Sequence, residues 1–166
     1  MKYVKNTNNR LIIIAHSAEP RYDWLLSVLC IEEGMEYVNK PPGVSRESIR
    51  ELEEAFGVSL PSEFYDWWQK SNGADIFFGF KELQFFSIIE ILGEDIYELK
   101  KYMPNSIPVC MDGNGNVCVA KIEQERISGY YIANCGDLGW DEAKFVAKSL
   151  VELINDQVSP ESRLNT

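Results

Sequence analysis

Histidine occurs once in the 166 residues, at His16. Any Ser–His–Asp or Cys–His device would have to use it. A single histidine just past an apolar run reads as structural, because a catalytic histidine needs partners placed around it. Cysteine occurs four times, at Cys30, Cys110, Cys118 and Cys135, and no two are spaced as CxxC. Structural zinc favours short paired spacings, so no metal site is expected. Neither GxxxxGK[ST] nor GxGxxG is present, which removes the phosphate-cradling loops. Long apolar runs are missing too. LIIIA, near the start, is five residues, too short for a signal segment or a membrane span. The expectation is a cytoplasmic chain with reduced thiols, no cofactor and no membrane contact.

Positive charge is scarce. Lys and Arg number 16 against 26 Asp and Glu, for a net charge of −10. The first 43 residues hold five acids and five bases; residues 44–166 hold twenty-one acids and eleven bases. The whole excess therefore belongs to the later part. Such a surface repels nucleic acid phosphates. It serves either solubility or the attraction of a basic protein partner.

What is present suits one globular domain: 45% hydrophobic and 12% aromatic residues, with no internal repeat. In the first forty residues LIIIA reads as a short strand. Trp24, Leu25, Val28 and Leu29 have helical spacing that stops at Gly34. NKPPG at 39–43 is a breaker and marks the change of charge. Residues 1–43 thus read as an extension packed on the domain, 44–157 as the domain and 158–166 as a frayed tail.

In the domain, Ser45 is a good N-cap, Ile49, Leu52 and Phe56 share one helical face, and Gly57 suits the left-handed position past the end. Pro61 fits the first turn of a second helix with Phe64, Trp67 and Trp68 on its apolar face, ending at Asn72-Gly73. Glu63 and Asp66 on that helix face only a lone Lys70, which argues against DNA reading. DIFFGFKELQFFSI reads as one or two strands with core-facing aromatics, Phe77, Phe78, Phe80, Phe85 and Phe86 among them. Ile89, Leu92, Ile96, Leu99 and Met103 predict one helix to about residue 103, weakened by Gly93. Three short strands follow, IPVCMD, VCVAKI and GYYIAN, then a strand edge and a last helix capped by Ser149. Short turns between strands mean antiparallel pairing. The fold class is α+β: one antiparallel or mixed sheet of four to six strands with helices packed on it.

Three features could carry function. Twenty-six acids offer many carboxylate pairs of the kind a glycosidase uses, yet no local motif selects one. Trp140 lies in a loop among Asp137, Asp141 and Glu142. It reads either as a contact point for a basic partner or as a lid folded back on the core. The third is CMDGNGNVCVAKIE, residues 110–123. Asp112, Asn114, Asn116 and Glu123 have the ligand spacing of an EF-hand loop. The sixth position, where that loop needs glycine, is Val117, and the flanks are strand-like. A hairpin turn explains the stretch better. A turn centred on Asn114 would set Cys110 opposite Cys118, with packed, reduced thiols and a melting temperature unmoved by calcium.

ESIRELEEAFGVSLPSEFYDWWQKSNG resembles the opening motif of the SMI1/KNR4 (SUKH) superfamily through Ile49, Leu52, Glu53, Gly57, Leu60, Pro61, Phe64, Trp68, Asn72 and Gly73. IPVCMDGNGNVCVA is similar to its second signature, a strand, a D-G-x-G turn with Asp112, Gly113 and Gly115, and another strand; AKSLVELI resembles its closing helix. The likeness covers roughly 44–157. It implies an α+β domain whose motif residues determine the fold and carry no catalysis. Bacterial members of the superfamily include immunity proteins that bind a cognate toxin domain, often a nuclease. Fungal members are regulatory scaffolds in cell-wall signalling. The resemblance implies a non-enzymatic, monomeric or weakly dimeric protein that binds a basic toxin domain, or else a scaffold for endogenous signalling proteins.

Overall fold

The computed structural model describes residues 2–5, 11–14, 35–93, 95–156 and 159–164. The chain forms two compact units, Met1–Glu32 and Glu33–Thr166. His16, Cys30 and the helical pattern through Trp24 to Gly34 lie outside the described residues. In the first unit β1 (Lys2–Lys5) and β2 (Leu11–Ile14) pair antiparallel, with Lys2 opposite Ile14.

The second unit is built on one antiparallel sheet. Its strands are β3 (Met35–Asn39), β4 (Ala74–Phe78), β5 (Lys81–Phe85), β6 (Ser106–Met111), β7 (Asn116–Glu123), β8 (Arg126–Asn134) and β9 (Lys144–Ala147). They lie side by side in sequence order, seven strands rather than four to six. β3 is the strand the sequence conceals. It precedes the breaker at 39–43, yet it pairs with β4.

Five helices are seen among the described residues: α1 (Arg46–Phe56), α2 (Ser62–Lys70), α3 (Ile88–Gly93), α4 (Leu99–Tyr102) and α5 (Leu150–Asn155). The Ser45 hydroxyl accepts the Ser48 N–H at the start of α1, and Gly57 closes it at φ 60°. Pro61 stands one place before its expected position, as the N-cap of α2. That helix buries Phe64, Tyr65, Trp67 and Trp68. Trp68 stacks on Phe64 at 3.8 Å, and Trp67 meets Phe85 of β5 at 4.5 Å. Each such ring contributes about 1.5–3 kcal/mol by leaving water.

Strand register sorts the core onto two faces. Phe85, Cys110, Cys118, Ile132, Ala120 and Tyr130 fall on the face that α2 covers. Glu63 of α2 fastens this layer, accepting the Leu150 N–H that opens α5 and the Tyr130 phenol. On the other face Val117, Val119 and Ala133 pack against Leu99 and Met103. The first five residues of β7 are buried, being covered from both sides.

Three sequence expectations need correction. The pattern through 88–103 is not one helix. α3 stops at Gly93, and a 3-10 turn at Ile96–Glu98 follows, with Tyr97 at φ 53° and Glu98 at φ 56°. Ile88 and Ile91 are the buried residues of α3, and Ile89 is exposed. Phe80 is fully exposed at the β4–β5 turn and Phe77 is partly so, because that strand pair shows one face to solvent. Finally, the expected frayed tail folds into a 3-10 turn, Pro160–Arg163, with Pro160 buried.

Candidate partner-binding surface

The turn between β6 and β7 is organised by one carboxylate. Asp112 is only 3% exposed. Its Oδ1 accepts the N–H groups of Asn114 (2.9 Å) and Asn116 (3.1 Å), and its Oδ2 accepts from Asn116 Nδ2 (2.7 Å). Gly113 and Gly115 take positive φ, 77° and 86°, which the loop needs and a side chain would resist. The turn centres on Asn114 and sets Cys110 opposite Cys118. Burial pushes both the Cys110 thiol and, to about 11, the Cys135 thiol upward. Cys110, Cys118 and Cys135 are free.

This geometry departs from that of an EF-hand loop. The Asp112 oxygens already have donors, and Glu123 sits at the far end of β7, roughly 20 Å along the strand. There it pairs with Lys121 at 2.8 Å. No metal-holding group of His, Cys, Asp or Glu occurs among the described residues. A melting scan with excess calcium and one with chelator are expected to coincide; a shift of several degrees would restore the EF-hand reading.

Polar contacts link the turn to the acidic loop. Asn134 Nδ2 donates to Asn116 Oδ1 (3.0 Å), Asn134 Oδ1 accepts the Gly136 N–H (2.8 Å), and Cys135 N–H reaches Gly115 O (3.0 Å). From the tail, Glu161 accepts Asn114 Nδ2 at 2.9 Å. The result is an open polar cleft of about 310 Å3 whose walls include Asn114, Asn116, Asn134, Asp137, Glu142 and Glu161, with Lys144 as its one base. Asp137, Asp141 and Glu142 are exposed. Asp137 and Glu142 meet at the cleft; Asp141 stands beside it without lining it.

Trp140 takes the lid position. It is half-buried over Val117, Val119 and Ala133, edge-on to Tyr131 at 5.5 Å. Its indole N–H donates to Pro104 O at 2.9 Å, and Lys121 Nζ lies 5.1 Å from its ring centre. The indole thereby anchors the acidic loop to the sheet.

The motif residues of the helical pair sit elsewhere and do structural work. Ile49, Leu52, Leu60, Phe64 and Trp68 are buried. Glu53 accepts the Leu60 N–H (2.8 Å) and the Tyr65 hydroxyl (2.7 Å), fastening the turn from α1 into α2 around Gly57 and Pro61. Asn72 Oδ1 accepts the Ile88 N–H at 2.9 Å. Gly73, at φ 81°, leaves no room for a Cβ, which would come within 2.9 Å of Phe85 O. Trp68 Nε1 donates to Phe86 O at 2.9 Å.

Sequence reasoning missed Asn134, Lys144 and Glu161 as cleft residues, because only the folded sheet edge and tail bring them to the turn. It also missed Lys81, which is 1% exposed. Period-two alternation carried that signal: Lys81, Leu83 and Phe85 share one face.

An α+β protein of this kind, a single antiparallel meander with helices on both faces, belongs to a recognisable class. The chain belongs to the SMI1 / KNR4 family (SUKH-1), whose model matches residues 43–156. That span agrees to within one residue at each end with the resemblance read from the motifs. No curated protein matches the chain. No helix among the described residues is long and apolar enough to cross a membrane.

Proposed function

We propose that the protein masks a basic toxin domain by direct contact, without catalysis, in the cytoplasm of the cell that makes the toxin. The observation that carries this reading is the exposed acidic loop, Asp137, Asp141 and Glu142, anchored by Trp140 beside an open polar cleft. Its acids belong to the part of the chain that holds the entire net charge of −10. A nuclease presents basic residues to bind phosphates, and an anchored acidic surface competes for them while speeding the encounter. Family membership supports the reading, since immunity proteins are among the roles that the resemblance implies.

The test is the toxic domain encoded beside this gene, purified and titrated calorimetrically against the full chain. The double variant Asp137→Lys, Glu142→Lys is expected to weaken binding tenfold or more, about 1.4 kcal/mol. Both residues are exposed, so its melting temperature should stay near that of the wild type. Affinity of the wild type should fall as salt rises. Absence of binding by the wild type, with no protection of cells, would overturn the proposal. A pull-down that returns host signalling proteins instead would favour the scaffold reading.

A further inference from the structure

Asp137 also borders a second open cleft, of about 470 Å3, lined by Tyr97, Glu98, Tyr102, Cys135 and Leu138. Its aromatic walls are unusual for a surface. Tyr97 is 49% exposed and Tyr102 44%. Its backbone is unusual too. Tyr97 and Glu98 both adopt left-handed φ, 53° and 56°, where a non-glycine residue costs about 1–2 kcal/mol. The strain divides what the apolar periodicity would otherwise make one helix; Tyr97 lies in the resulting kink and Tyr102 ends the helix that follows it.

The geometry points to this cleft as the seat of an arginine side chain of the protein partner. The inference deepens the masking function and rests on it. Two half-exposed tyrosines and two carboxylates, Glu98 and Asp137, line one hollow. A guanidinium matches that set: its plane stacks on aromatic rings and its fork reaches carboxylates. Tyrosine and arginine are also the residues on which interface energy concentrates. One base stands beside the cleft. Lys101 Nζ donates to the Tyr102 hydroxyl at 2.8 Å and pairs with Glu98 at 3.4 Å. The same Nζ also lies 4.4 Å from the Tyr102 ring centre. Both members of the ion pair are exposed, where such pairs contribute little, so an incoming guanidinium can displace Lys101 from the ring and share Glu98.

The experiment is a titration of the isotope-labelled full chain with N-acetyl-arginine amide, followed by amide NMR shifts. Saturable millimolar binding is expected, with shifts gathered at Tyr97, Glu98, Tyr102 and Asp137. The uncharged citrulline analogue should bind at least tenfold more weakly. Tyr97→Ala and Tyr102→Ala should remove the response. Tyr97→Leu, which keeps apolar bulk without an aromatic face, serves if the alanine variant does not fold, and should remove it too. No saturable shift, shifts centred elsewhere, or equal binding of citrulline overturns the inference. The two proposals fail separately. A toxin that binds the wild type and ignores Tyr97→Ala and Tyr102→Ala overturns the cleft but leaves masking intact. Arginine shifts at the cleft, with no toxin bound and no cells protected, overturn masking alone.

Discussion

Gly43→Ala is expected to lower the melting temperature by roughly 6–12 °C, a loss of about 3 kcal/mol. The reason is a backbone contact. A Cβ on Gly43 would lie 1.8 Å from Gln69 O and 2.3 Å from its carbonyl carbon. Neither is a flexible side-chain end, so the segment 41–44 would have to lift from α2. Lifting it breaks a set of bonds that close the end of that helix. Val44 N–H donates to Trp68 O (3.0 Å), Pro42 O accepts the Asn72 N–H (3.1 Å), and Pro41 O accepts the Ser71 hydroxyl (2.8 Å). The last carbonyls of a helix have no partner within it, so the breaker segment acts as the cap. Gly93→Ala is the control. Nothing lies within 4 Å of a Cβ there, and alanine at a helix end should leave stability equal or slightly higher. Thermal circular dichroism on both variants checks the pair. A Gly43→Ala melt within 2 °C or so of the wild type would mean that the segment does not lie against α2 as described.

Lys81→Met is expected to cost about 3 kcal/mol at neutral pH. The Lys81 ammonium donates to the carbonyls of Leu153 (2.8 Å), Ile154 (2.7 Å) and Asp156. It caps the end of α5, whose last turn carries no basic residue of its own. Methionine fills the space and offers no donor. The stranded carbonyls each cost about 1–3 kcal/mol, partly offset because a charge no longer leaves water. Burial depresses the Lys81 ammonium below its ordinary 10.5, while Asp156 and the thiols of Cys110 and Cys118 pull it back up. The unfolded chain keeps this proton up to 10.5 and the folded chain releases it earlier. Between the two values the unfolded state binds more protons, so the Lys81 contribution rises with pH. It is fully present above 10.5 and is lost as pH falls through the folded value. The Cys110 and Cys135 thiols, raised by burial, act oppositely, but they are common to both proteins and largely cancel in the difference. Urea unfolding of wild type and Lys81→Met from pH 7 upward should show the stability gap widening toward 10.5. A gap that stays flat or narrows would mean that burial does not hold the Lys81 ammonium below its ordinary range.

These two positions show where the sequence is readable. The helical pair α1–α2 is written in local code: a serine cap, apolar residues at i, i+3 and i+7, and a glycine stop. Gly43 belongs to a breaker visible in the sequence, but the carbonyl it must avoid is set by packing. The β6–β7 turn is legible because Asp112 and two glycines dictate it within five residues. The β7–β8 hairpin is not. Its loop residues, Gln124 and Glu125, take φ 52° and 60° without an asparagine or glycine. Docking against the α1–α2 turn compensates there, with Ser59 N–H on Glu125 O at 2.8 Å. The helix expected through 88–103 fails on two counts: its first turn buries Ile88 and Ile91 rather than Ile89, and two left-handed residues of types that usually avoid that region interrupt it. The candidate surface is half legible. Asp137, Trp140, Asp141 and Glu142 stand together in the sequence, whereas the cleft exists only because β8, the β6–β7 turn and the tail converge.

The order of the strands has a kinetic consequence. Seven strands that each pair with their sequence neighbour keep most sheet contacts local, and local contacts form quickly. Three hairpins close through short loops: β4–β5, β6–β7 and β7–β8. β8 and β9 join through residues 135–143, and two closures span longer segments still: β3 to β4 across α1 and α2, and β5 to β6 across α3 and α4. Loop-closure entropy grows with length, so these two joins should set the folding rate. The β6–β8 hairpins would then form ahead of the rate-limiting closure, and Gly43, on the first of the long joins, would act on the folding rate.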